Sequence, residues 1–147
     1  MIKLSLRLKG MYNKNMKKKV LFLVPSNTLK NHFSKELGDL EFVELSFETD
    51  GYRALGRTIN ESFDLFIFMA SSPSINGSDL ITIIKILGTN DNIPTALIYG
   101  ENESTYEGSA DYILRNKKSL IRDLEAVILK VFKDQASTFG PPPLPKA

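Results

Sequence analysis

The 147 residues include one histidine, His32, and no cysteine. That removes His-rich metal clusters, thiolate metal sites and disulfides together. His32 stands beside Asn31, Phe33 and Ser34 in a helical stretch and reads as a surface or capping residue. Ser71, Ser72 and Ser74 surround Pro73, a composition that reads as a flexible loop and not as a phosphorylation site. Glu101, Glu103 and Glu107 are spaced to form either an acidic rim for a basic partner or a solvated loop. After the first apolar run the chain reads Pro25-Ser26-Asn27-Thr28, with none of the glycines that let backbone amides cradle a phosphate. No acid/base pair stands out, so the chemistry expected is recognition and not catalysis.

The elements that must position any site are clearer. Asp64-Leu65-Phe66-Ile67-Phe68-Met69 is a short unbroken apolar run opened by an acid and followed by Ala70-Ser71-Ser72-Pro73. It is too short for a helix and lacks in/out alternation, so it predicts a strand buried on both faces, as in a parallel sheet covered by helices. Ligands of such sheets bind beyond the carboxyl ends of the strands, which puts Met69 at the place where chemistry would occur. Val20-Leu21-Phe22-Leu23-Val24 predicts a second buried strand, Ile93 to Tyr99 a third, Phe42 to Ser46 one nearer an edge and Asp111 to Leu114 a short last one. Between them the spacing predicts helices. The first is capped by Ser26 or Asn27 with Leu29, Phe33 and Leu37 inward. The second opens at Thr49 or Asp50 with Tyr52, Leu55 and Ile59 inward. A very apolar third is capped by Ser78 or Asp79 and stopped by Gly88, and the last, capped by Ser119, buries Leu120, Leu124, Val127, Ile128 and Val131. Strand and helix alternate about five times, which predicts a doubly wound α/β fold with a parallel five-stranded sheet.

Composition is ordinary for a globular chain, 42% hydrophobic and 24% charged, and its length suits one domain with a real core. The net charge of +2 conceals an asymmetry. Residues 1–19 hold seven Lys/Arg and no acid, leaving a net −5 for the rest. A basic, unstructured tail is expected over 1–18, with Met1, Met11 and Met16 as alternative starts and a short edge strand through Ile2, Leu4, Leu6 and Leu8 as the structured alternative. The folded domain is expected over 19–135. Residues 136–147 form a Pro-rich tail, with Pro141-Pro142-Pro143-Leu144-Pro145 read as a stiff polyproline II linker or chain end. No apolar run approaches the roughly 20 residues of a membrane helix, and no basic recognition helix points to nucleic acid.

Several phrases, in order, resemble the receiver domain of bacterial two-component response regulators, the CheY-like family. Asp64 to Met69 followed by Gly77, the pair Ile93-Pro94 before an apolar strand, and Gly108-Ser109-Ala110-Asp111-Tyr112-Ile113-Leu114-Arg115 are similar to the family's own phrases at those places. The resemblance covers residues 19 to about 133 and implies a flavodoxin-like (βα)5 fold. It also implies a set of groups for phosphoryl transfer. Two acids after the first strand and the acceptor aspartate after the third hold Mg²⁺, and a Thr/Ser after the fourth strand and a Lys after the fifth bind the phosphoryl oxygens.

This chain departs from that set throughout. The acid pair falls on Pro25 and Ser26, the acceptor on Met69, and the Thr/Ser on Tyr99, bulky enough to fill the phosphoryl pocket. The lysine falls on Arg115, or on Asn116 if the alignment shifts by one. The reading is a degenerate receiver, or pseudo-receiver, with no metal, no cofactor and no enzymatic activity. Only ten residues, Gly100 to Ser109, lie between the fourth strand and Ala110, so the fourth helix is expected to be shortened or absent. The face made by the fourth helix, fifth strand and fifth helix, where the family docks its partners and dimerises, is then expected to be remodelled. Tyr112 falls at the switch-aromatic position, with Tyr99 expected to lie beneath it and hold it in one rotamer. The implied role is a phosphorylation-independent protein–protein interaction module in bacterial cytoplasmic signalling or scaffolding, with a protein partner or a second copy on that face and no nucleic acid or membrane insertion. The alternative is a small-ligand sensor using the altered pocket at the carboxyl-terminal ends of the strands, near Met69 and Tyr99.

Overall fold

A computed structural model describes residues 17–87, 92–103 and 110–139, with side chains up to Lys133. Most of the basic tail, part of the segment between the fourth and fifth strands, and the proline-rich end lie outside the described residues. So do the predicted N-terminal edge strand, Gly88 and Glu107.

The described strands are β1 (Lys18–Leu23), β2 (Val43–Glu48), β3 (Leu65–Met69), β4 (Thr95–Gly100) and β5 (Tyr112–Asn116). They form one parallel sheet in the order β2-β1-β3-β4-β5. The three most apolar strands, β1, β3 and β4, take the three interior positions, as two-sided burial requires, and the more polar β2 and β5 take the edges. β1 begins at Lys18 because Lys18 and Lys19 already pair with Val43 and Glu44, so the strand reaches into the expected tail.

Four helices are described: α1 (Asn27–Leu37), α2 (Gly51–Asn60), α3 (Gly77–Leu87) and α4 (Leu120–Phe139). Strand alternation divides the core in two. On one face, Val20, Phe22, Leu65, Ile67, Met69, Ala96 and Ile98 pack against Phe33 and Leu37 of α1 and Leu124, Ile128 and Phe132 of α4. On the other, Leu21, Leu23, Phe66, Phe68, Leu97 and Tyr99 pack against Ala54 of α2 and Leu80, Ile81 and Ile84 of α3. Each fully buried side chain of this size contributes about 2 kcal/mol, and two helices per face make the doubly wound arrangement complete.

Helix starts follow local hydrogen bonding. The Ser26 side chain accepts from the Leu29 N–H at 3.2 Å, and Asp50 accepts from the Arg53 N–H at 3.0 Å. α3 starts earlier than Ser78 or Asp79 would have it. Asn76 accepts from the Asp79 N–H at 2.8 Å and donates its own side-chain N–H to the Asp79 carboxylate at 3.1 Å, a reciprocal cap. α4 is described to Phe139, the last of the described residues.

The inward face of α2 differs from the prediction. Gly51, Ala54 and Thr58 are buried, Leu55 is half-buried, and Tyr52 and Ile59 are 64% and 59% exposed. Small residues win because the helix comes so close. A Cβ on Gly51 would lie 2.6 Å from the Ile75 carbonyl oxygen and 2.9 Å from its Cβ. The α3 approach is equally tight: a Cβ on Gly77 would overlap the Met69 carbonyl oxygen and lie 2.9 Å from Leu97 Cδ1.

Two carboxylates tie the amino ends of the strands. Asp64 accepts from the Lys19 N–H at 2.8 Å while its own N–H donates to the Lys19 carbonyl at 2.7 Å. Asp111 accepts from the Thr95 N–H at 2.9 Å and its N–H donates to Thr95 Oγ1 at 3.2 Å. Thr95 is 1% exposed, so this pairing satisfies polar atoms that would otherwise be buried without partners.

Candidate functional site

The carboxyl ends of the strands gather Pro25, Ser26, Met69, Tyr99 and Arg115, as the topology requires, but not into one pocket. Met69 is 7% exposed and belongs to the core cluster under α1 and α4. Tyr99 is 1% exposed and belongs to the cluster under α2 and α3. The reason is register. Met69 pairs with Ile98, so the next residue, Tyr99, points to the opposite face. The two side chains therefore lie on opposite faces of the sheet, in separate core clusters. Pro25 is half-buried, and the Ser26 side chain is engaged as the α1 cap.

The same parity corrects the expected lock on Tyr112. Tyr112 pairs with Ala96, while Tyr99 pairs with Arg115. Tyr112 packs against the α1/α4 cluster, Tyr99 in the other, so Tyr99 does not lie beneath it.

Of the two candidates Arg115 and Asn116, it is the Arg115 side chain that reaches the end of β4, while Asn116 is exposed. The Arg115 guanidinium lies 5.8 Å from the centre of the Tyr99 ring, within cation–π range. It donates to the Gly100 carbonyl at 2.9 Å and also to the Glu103 carbonyl. The Glu103 carboxylate in turn accepts from the Gly100 N–H at 2.8 Å, and the Ser71 hydroxyl donates to it at 3.5 Å. The end of β3, the end of β4 and β5 are thus joined by a network that uses the guanidinium on internal carbonyls. Glu103, expected on a solvated acidic rim, turns inward because an unpaired strand-end N–H lies within its reach. Glu101 remains exposed.

The loop after β3, expected to be flexible, is tied at several points by hydrogen bonds. Ser72 Oγ donates to the Ile75 carbonyl at 2.6 Å, Ser74 Oγ donates to Asp50, the Gly51 N–H donates to the Pro73 carbonyl at 3.4 Å, and the Gly77 N–H donates to the Ala70 carbonyl at 3.0 Å. Ser74 has a φ of 74°, a left-handed conformation uncommon for a residue with a side chain. The Ser74 hydroxyl, then the Arg53 N–H, hold the Asp50 carboxyl below its ordinary range. His32 is exposed, with its ring 5.5 Å from that of Phe33. Among the described residues no group of three or more His, Asp or Glu is placed to hold a metal ion, and no helix is long and apolar enough to cross a membrane.

Sequence reasoning had no means to find Glu103, Asp64 or Asp111 in these roles. Each acts through a partner distant in the chain or through the turn that presents it, and an acid in a polar stretch carries no signal of that.

Solved receiver domains share this arrangement. The receiver domain of the Francisella response regulator 1452 superposes with a TM-score of 0.70 at 17% identity, covering 81% of this chain and 99% of that one. The REC domain of AraT, a response regulator from Geobacillus stearothermophilus, gives 0.71 at 21% identity, covering 84% and 98%. The chemotaxis protein CheY4 of Vibrio cholerae gives 0.68 at 20% identity, covering 78% and 98%. No family model matches the sequence, and no curated protein matches it. The likeness is one of fold: this chain has the CheY-like receiver fold. Between β4 and β5, where the family's fourth helix is expected to be shortened or absent, no helix is found among the described residues, and residues 104–109 lie outside them. The family's fifth helix corresponds to α4.

Proposed function

We propose that this chain is a non-catalytic, phosphorylation-independent receiver module that recognises a protein partner in bacterial cytoplasmic signalling or scaffolding. The observation that carries the reading is Met69, a thioether 7% exposed in an apolar cluster at the position that resembles the phospho-acceptor. A thioether is neither a phosphoryl nucleophile nor a ligand for a hard cation. Two further features support it: Ser26 is engaged as a helix cap, and Arg115 is engaged by two carbonyls. The partner surface of this reading is the β5 side. β5 is an edge strand, Tyr112 is half-buried, and Ile113 is 46% exposed. A protein partner, or a second copy of the chain, would cover it.

An amide NMR titration with Mg²⁺ and beryllofluoride tests the reading. Unchanged spectra are expected. Saturable shifts clustered at Met69, Tyr99 and Arg115 would overturn it.

A further inference from the structure

Lys117, Lys118 and Arg122 line an open cavity of about 410 Å³ together with Glu101 and Ser119. The cavity lies off the carboxyl end of β5, since Lys117 directly follows that strand and α4 begins at Leu120. Three cations face it against one acid. Elsewhere Arg57 pairs with Glu61 and Glu48, Lys19 pairs with Glu61, and Arg115 donates to two carbonyls. The side chains of Lys117, Lys118 and Arg122 have no hydrogen bond or ion pair among the described residues. Asp123 makes no ion pair with them; its carboxylate accepts from the Ser119 hydroxyl at 2.9 Å.

We propose that this cavity binds a compact polyanion, a small molecule carrying a phosphate or diphosphate group. Three like charges held around one concavity repel, and a multivalent anion placed among them relieves that repulsion while gaining charge-assisted hydrogen bonds. A volume of about 410 Å³ is on the scale of small-molecule sites. An extended polyanion or an anionic lipid surface fits less well. The three cations are confined to one pocket with no aromatic lining residue, and residues 20–147 carry a net −5 that would repel a long anionic partner. The inference does not depend on the receiver reading, because neither Met69 nor Tyr99 lines the cavity.

An amide NMR titration of the full chain with sodium pyrophosphate at physiological salt provides the test, with inorganic phosphate and sodium sulfate as parallel arms. Saturable shifts at Glu101 and residues 117–123 are expected, strongest with pyrophosphate. Binding should weaken roughly tenfold in Lys118→Gln and again in Arg122→Gln, each the loss of one hydrogen bond to a charged group, and stay unchanged in Lys30→Gln on α1. Shifts that never saturate and follow ionic strength equally in all arms would mean an adventitious ion only and overturn the proposal. Shifts centred on the seven cations of residues 1–19 would assign the binding to the tail and overturn it equally. Saturation by an acidic peptide but not by pyrophosphate would replace a small anion with a protein ligand.

Discussion

Along the carboxyl rim of the sheet, the ends of β1 and β3 are closed differently from the ends of β4 and β5. On the β1/β3 side Met69 is absorbed into the core, the Ser26 side chain caps α1, and the loop after β3 bonds to the start of α2 through Ser74–Asp50 and Gly51–Pro73. On the β4/β5 side charged side chains do the joining, with Arg115 and Glu103 linked to Gly100 and to Ser71 of the β3 loop, and three further cations stand beside them. The first half of the rim is therefore a matter of packing, where a change acts through stability. The second is a matter of charge, where a change acts through what the surface can hold.

The largest expected effect breaks the packing half. Met69→Asp restores an acceptor-like carboxylate, but in an apolar cluster without a partner, so it should destabilise the fold by roughly 3 kcal/mol or more. Urea unfolding monitored by circular dichroism measures this. A stable Met69→Asp variant that binds Mg²⁺ would erase the distinction between the two halves.

Arg115→Gln probes the charged half. It removes a guanidinium from two carbonyls and from the Tyr99 ring, and should cost about 2 kcal/mol. Arg115→Lys should recover only part of that, because an ammonium lacks the planar fork. Equal stability of the Lys variant and the wild type would mean that charge alone matters there.

Ser26→Ala should cost about 1 kcal/mol, the loss of an N-cap, whereas Ser26→Asp should keep the cap and the stability and still bring no Mg²⁺ binding. Thermal melts with and without Mg²⁺ separate these outcomes.

The smallest effect concerns pH. The Ser74 hydroxyl holds the Asp50 carboxyl below its ordinary range, and the Arg57 guanidinium does the same for Glu61. A carboxyl whose folded value is depressed adds stability above its unfolded value, about pH 4, and loses it as the pH falls through the folded value. Both groups are exposed, so the gain is slight. Melting profiles of wild type and Asp50→Asn should run parallel at pH 7 and converge in acid.

What the sequence made legible was the backbone plan. Two unbroken apolar runs and a third entered through Pro94 read as buried strands, and the partly alternating run from Phe42 read as one nearer an edge. The site was less legible, for physical reasons. Met69 and Tyr99 read as neighbours because both close central strands, yet a one-residue register offset sends them to opposite faces, and register is a property of two strands together. The α2 face misled because its apolar residues, Tyr52 and Ile59, are larger than the space beside Ile75 allows, so Gly51 and Ala54 go inward instead. Glu103 gave no signal because its partner is a backbone N–H freed only when β4 ends.

The loop from Ser71 to Asn76 has one more consequence. By composition it is the kind of segment that proteases cut first, serine-rich, exposed at several positions and close to a proline. A protease must draw some residues of extended backbone into its cleft, and here the Ser72–Ile75, Ser74–Asp50 and Gly51–Pro73 hydrogen bonds would all have to open first. Limited digestion should leave this loop intact, its resistance collapsing only when α2 leaves the sheet and the whole domain becomes a substrate.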